Sequence, residues 1–151
     1  MLMFDKLGQQ RGVTLLESIV VLLLISLLIT MIFPLIQQTY TQFELDVAIV
    51  RLHKDIRWAQ RLAVREQKQV SILFFRDTKP ISYVIKVQGS NVYYRRGSLP
   101  ANLSGLTAST IFINPDRTFQ KSSHIMIQKG EVRRYVYYYQ TGRSRVTSVP
   151  A

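Results

Sequence analysis

The sequence predicts an α+β chain: a long N-terminal α-helix, apolar in its first half and amphipathic in its second, packed against a C-terminal antiparallel β-sheet. Three observations carry that prediction. No charged residue lies between Glu17 and Glu44, and Ile19–Phe33 reads IVVLLLISLLITMIF. Beyond that run, Leu45, Ile49, Leu52, Ile56, Ala59 and Ala63 recur at alternating spacings of four and three, which puts them on one helix face. After residue 69, β-branched and aromatic runs alternate with turn residues.

The helix is expected from about Val13 to about Gln67. At about 1.5 Å per residue, roughly 20 residues cross a bilayer core of about 30 Å, so the apolar run is long enough to span. Lys6 and Arg11 precede it with only Asp5 opposing them, and the next basic residue after it is Arg51. That asymmetry places the N-terminus in the cytoplasm and everything after about residue 40 outside. A secretory signal peptide has a shorter apolar region that ends in small residues. Here the run ends in Phe33-Pro34-Leu35-Ile36-Gln37, with no A-x-A pattern. Pro34 falls inside the predicted helix, where a kink is expected.

Strands are expected at Val70–Phe75, Ile81–Val87 and Asn91–Arg95, with Gly89-Ser90-Asn91 turning between the second and third. Leu99–Ser109 reads as a loop. Thr110–Ile113, His124–Gln128 and Val132–Gln140 read as further strands, the last two joined by Lys129-Gly130-Glu131. Outside the apolar stretch roughly 110 residues remain, enough for one modest core.

Composition narrows the chemistry. The 151 residues include no cysteine, which excludes disulfides, thiolate metal sites and Cys nucleophiles. His53 and His124 sit on different elements without a convincing ligand set. There is no Gly-rich phosphate loop and no persuasive Ser–His–carboxylate order. No catalytic residue, metal or cofactor is expected, and the chain reads as a non-enzyme.

Glu17 is the informative acid. A carboxylate at the edge of a membrane span calls for a functional explanation, the bland alternative being hydration at headgroup level. The surrounding residues are Arg11-Gly12-Val13-Thr14-Leu15-Leu16-Glu17-Ser18. They resemble the class III leader and first turns of the type IV pilin family, which includes the pseudopilins of type II secretion. In that family a prepilin peptidase cuts after the Gly and methylates the new N-terminus. The fifth mature residue is Glu, and an apolar helix follows. The resemblance therefore implies Gly12 as the last leader residue, Val13 as the methylated mature N-terminus and Glu17 as the fifth mature residue. Val13 departs from the usual aromatic first residue. The implied organisation is a leader at 1–12 and a transmembrane or filament-core helix at 13–36. An amphipathic helix at 37–68 and a β-sheet domain at 69–151 complete a pilin-like fold.

Physical chemistry supplies a role for that pattern. The freed Val13 amine is a cation at neutral pH. Within lipid, this amine and a neighbour's Glu17 are each costly alone, so pairing them across subunits offsets the cost and fixes axial register. Glu17 is thus expected to serve assembly. The expected partners are a prepilin peptidase, other pilin subunits of the filament and the membrane.

Two further segments, Phe112-Ile113-Asn114-Pro115-Asp116-Arg117-Thr118-Phe119 and Thr141-Gly142-Arg143, resemble the C-terminal sheet of H-type pseudopilins and of D-type minor pilins of Gram-positive competence pili. Lys+Arg number 20 against 9 Asp+Glu, a net charge of +11. Arg51, Lys54, Arg57, Arg61, Arg65 and Lys68 recur along one helix flank, with Trp58 among them. Arg95-Arg96, Arg133-Arg134, Arg143 and Arg145 add charge near Tyr93-Tyr94, Tyr135 and Tyr137–Tyr139. Phosphate neutralisation and stacking make DNA a candidate partner, with Arg57, Arg61 and Arg65 as the contact residues. A solvated helix face, anionic wall polymer and acidic neighbours in the filament are the alternatives.

The sequence thus reads as a minor pilin or pseudopilin of a type IV filament machine, foremost the competence pilus that takes up DNA. It would sit in the cell membrane and, once assembled, in a surface filament. A type II secretion pseudopilin is one alternative. The other is a non-polymerising bitopic membrane protein whose basic outer domain binds DNA or wall polymer.

Overall fold

Residues 14–108 and 110–149 are described in the computed structural model. The expected leader and the pair Gly12 and Val13 lie outside them. The chain divides into two compact units, with the boundary between Gln38 and Thr39.

Helix α1 spans Leu15–Glu66. Thr14 caps it: its hydroxyl accepts the Glu17 backbone N–H at 3.2 Å, and its carbonyl accepts that of Ser18 at 3.1 Å. In the first unit every described residue is exposed, including the whole apolar run. The hydroxyls of Ser26 and Thr30 donate to the carbonyls of Leu23 and Ser26, both at 2.8 Å, so neither needs water. The helix continues through Pro34, which has no N–H to offer the Thr30 carbonyl. By length and composition α1 can cross a membrane.

In the second unit, α1 presents Leu45, Ile49, Leu52, Ile56, Ala59 and Ala63 to the core, all at 0% exposure. These are the six residues that the spacing places on one face. Eight strands follow. They are β1 (Val70–Phe75), β2 (Ser82–Val87), β3 (Tyr93–Ser98), β4 (Gly105–Thr107), β5 (Ile111–Ile113), β6 (Ser123–Lys129), β7 (Val132–Tyr138) and β8 (Ser144–Thr147). They form two four-stranded antiparallel sheets, ordered β3-β2-β1-β5 and β4-β6-β7-β8, where the sequence suggested one. The inward residues Val70, Ile72, Ile85, Ile111 and Ile113 of the first sheet and Ile125, Ile127 and Val136 of the second join the helix face in one core. Burying each such side chain contributes about 1.5–3 kcal/mol.

Three elements differ from the sequence reading. β4 lies within the expected loop Leu99–Ser109, because three residues that begin with Gly105 are too few to show alternation. β8 was not expected, since Ser-Arg-Val-Thr is short and polar; it forms by pairing with β7 from Tyr135↔Thr147 to Tyr138↔Ser144. The third strand begins at Tyr93 rather than Asn91 and runs on to Ser98, its register shifting between Ile85 and Lys86 of β2. Its extension through Gly97 has a packing cause. Gly97 pairs with Tyr83, and a Cβ at Gly97 would collide with the Tyr83 ring.

Candidate assembly and anion-contact sites

Glu17 occupies the third helical position after its Thr14 cap, in the order Thr-x-x-Glu. A carboxylate in the first turn is favoured by the helix dipole and suits a capping box. This local role went unread in the sequence, although Thr14-Leu15-Leu16-Glu17 announces it. The Glu17 side chain is exposed.

The second acid of note, also missed, is Asp55. It sits in the middle of the core face of α1 at 1% exposure. Tyr83 donates its hydroxyl to Oδ2 at 2.5 Å, and Arg95 Nε lies 3.0 Å from Oδ1. That second approach is close enough for an ion pair but off the hydrogen-bonding direction, so Oδ1 is held by charge rather than by an aligned bond. Burial, then the hydrogen bond to Asp55, pushes the Tyr83 hydroxyl well above the usual phenol range. The Arg95 guanidinium also lies over the Trp58 ring, 5.5 Å from its centroid. Asp55 therefore ties α1 to β2 and β3 of the first sheet.

Several basic residues of the two sheets have partners within the chain. Arg95 is engaged with Asp55 and Trp58, and Arg134 forms an ion pair with Asp46 that raises its already high pKa through their hydrogen bond. Lys129 bonds Glu44 at 2.6 Å. The tyrosines mostly pack the second sheet: Tyr135 and Tyr138 are buried, and Tyr137 stacks on Tyr135 at 6.0 Å beside His124.

The helix arginines divide. Arg57 and Arg61 line an open cleft of about 430 Å³ together with Gln60, Asp116, Arg117, Thr141, Gly142 and Arg143. Arg65 does not reach it and instead pairs with Glu66 at 3.0 Å. Gln60 builds the cleft. Its side-chain amide donates to the carbonyls of Arg117 at 2.8 Å and Gly142 at 2.9 Å, drawing the β5–β6 loop and the β7–β8 turn onto the helix. Gly142 has φ +80°, and a Cβ there would lie 2.8 Å from the Arg117 carbonyl oxygen, so glycine is required. The β5–β6 loop is braced by Asp116, whose carboxylate accepts the Thr118 hydroxyl at 2.6 Å and its N–H at 2.9 Å. Those bonds hold the Asp116 pKa below the usual carboxylate range. Four guanidinium groups thus border one cleft with a single carboxylate among them. The two short segments read as C-terminal resemblances meet here, around a glutamine the sequence reading passed over.

No group of three or more His, Cys, Asp or Glu suited to a metal occurs among the described residues.

Comparison with known proteins agrees with the fold. No protein-family model matches the chain. The type IV minor pilin FimU of Pseudomonas aeruginosa (strain PAO1) has a similar structure in two crystal forms. One superposes with a TM-score of 0.59 at 21% identity, covering 71% of this chain and 90% of FimU. The other gives 0.57 at 19% identity, covering 68% and 92%. The fold is therefore type IV pilin-like: a long apolar N-terminal helix with antiparallel sheets on its second half. In sequence, the chain is similar to the competence protein ComGD of Bacillus subtilis (strain 168), with 35% identity over 71 residues, 47% of this chain. The match spans half the length of that curated relative. These findings show a type IV pilin-like fold and a partial similarity in sequence to ComGD.

His53 gives this region a pH signature. Its Nε2 lies 2.9 Å from Ser144 Oγ, joining α1 to β8. Burial first, and then Arg57, lower its pKa below 6.5. The unfolded chain therefore binds the proton more readily than the folded one, and stability falls as pH drops from about 6.5 toward the folded-state value. Melting of the full chain in detergent micelles should show a Tm lower at pH 5.5 than at pH 7.5. His53→Gln should flatten that difference.

Proposed function

We propose that the chain is a minor pilin-type subunit of a type IV filament machine that serves DNA uptake. The observation that carries this reading is the run from Ser18 to Ile36, charge-free and fully exposed, directly behind Glu17 and in front of a compact domain. Similarity to ComGD, a competence protein by name, favours DNA uptake over secretion as the system. In this reading Gly12 ends a leader removed by a prepilin peptidase. The Val13 amine is freed and methylated, and it pairs with Glu17 of a neighbouring subunit. The N-terminus lies in the cytoplasm and the domain outside, where it joins the surface filament.

Glu17 has two separable contributions, its charge and its place in the cap. Glu17→Val should be processed and inserted normally yet be depleted at least tenfold from sheared surface filaments. Glu17→Gln keeps a capping side chain without the charge and should be depleted to a similar degree. Normal incorporation of both would assign Glu17 to the helix cap alone.

DNA contact follows from the cleft. Arg57 and Arg61 face it with Arg117 and Arg143, and Arg65 continues the row. The detergent-solubilised full chain should bind duplex DNA with an affinity that falls steeply with salt. Changing Arg57, Arg61 and Arg65 to Gln should flatten the salt slope by up to about three units, roughly one per lost phosphate contact. Most of that change should come from Arg57 and Arg61, since Arg65 already has Glu66. Gln and Arg are similar helix formers, so the fold should survive. Equal binding by the triple variant would move the charge to another role.

A further inference from the structure

The first sheet has a second face, turned away from the core. Val70, Ile72, Ile85, Ile111 and Ile113 point inward, so strand alternation turns Ser71, Lys86 and Phe112 outward. The register sets these in one row across all four strands. Phe112 is opposite Ser71, Ser71 is opposite Lys86, and Lys86 is opposite Tyr93. The next row runs Leu73, Val84, Arg96. The two rings that end the first row stand open, Phe112 at 39% and Tyr93 at 50% exposure. Tyr94, the extra residue at the register shift, is exposed at 40% beside them.

Packing within the sheet does not account for these rings. Aromatic side chains stabilise a sheet when they are cross-strand neighbours, and here two strands separate them. Among the described residues neither ring meets another. Three strand spacings set them about 14 Å apart, with Lys86 in the row between. The side chains of Lys86 and exposed Arg96 have no ion pair or hydrogen bond among the described residues. None of the four strands carries a carboxylate to compete for them. Phe112 also borders a hollow of about 460 Å³ together with Lys121, which leaves room beside its ring and a third cation near it.

We propose that the outer face of the first sheet is a platform for a single-stranded nucleic acid, whose bases stack on Tyr93 and Phe112 and whose phosphates meet Lys86 and Arg96. Open rings with cations between them are the pairing that such a strand requires, because every base has a face to stack and every linkage carries a charge. A duplex keeps its base faces against one another and cannot use the rings. A neutral glycan can stack on aromatic rings but leaves Lys86 and Arg96 without partners. The platform has no side chain built to read base edges, so it takes bases of any sequence. It shares no residue with the basic cleft and does not rest on the filament reading. The two surfaces divide the work, the cleft meeting phosphates alone and the sheet meeting bases as well.

The test separates stacking from charge. The detergent-solubilised full chain is titrated at low salt with an oligothymidylate of about 12 nucleotides, with an abasic strand of the same length and charge, and with duplex DNA. The oligothymidylate should bind at least about fivefold more tightly than the abasic strand, the least that one stacked base contributes. Tyr93→Ala and Phe112→Ala should each weaken oligothymidylate binding at least about fivefold and leave abasic-strand and duplex binding unchanged. Tyr93→Phe keeps the ring and should bind as the unsubstituted chain does. The comparison of the two strands on the unsubstituted chain needs no variant to fold. Equal binding of the two strands, or no binding of the oligothymidylate, overturns the platform. So does oligothymidylate binding that survives both alanine variants and is lost in Arg57→Gln with Arg61→Gln. In each of these cases duplex binding reports on the cleft independently.

Discussion

Apolar surface that the chain cannot cover by itself is the constraint on which everything else depends. From Leu15 to Ile36 each large apolar side chain is exposed at 46% or more, and nothing within the first unit shields it. At about 25 cal/mol per Å² such a surface is strongly driven out of water. A bilayer and a bundle of similar helices are the environments that satisfy it, and the satisfied hydroxyls of Ser26 and Thr30 suit either. Glu17 lies at the N-terminal edge of that surface, with its side chain exposed.

The second half of the same helix faces the opposite problem, since it must hold a domain together without disulfides. It does so with one apolar face and a few polar ties. Asp55 fastens β2 and β3 through Tyr83 and Arg95, Gln60 fastens the two C-terminal turns, and His53 fastens β8. Each tie sits on the core face or its flank, so the far face stays free of intramolecular demands. That freedom lets one row change from apolar to basic at Lys54.

Periodicity made the helix and its core legible in advance, because Leu45 through Ala63 repeat strictly enough to define a face. The central strands β1, β2, β6 and β7 were legible for a similar reason, being runs of alternating β-branched and aromatic residues. β4 and β8 were not, as their three and four residues owe their conformation to partners distant in sequence. The same holds for the cleft. Arg57 and Arg61 were visible as a helical repeat, but Arg117 and Arg143 reach them only because Gln60 binds two loop carbonyls. Asp55 was hidden because an acid in an apolar stripe carries no local mark of the tyrosine and arginine that pair with it.

In the proposed reading, the subunit becomes assembly-competent when its N-terminus is freed. The most direct measurement is the intact mass of the protein extracted from membranes of cells with a working peptidase. A chain beginning at Val13 and carrying one added methyl group is the expected result. A chain that retains Met1 would contradict the account.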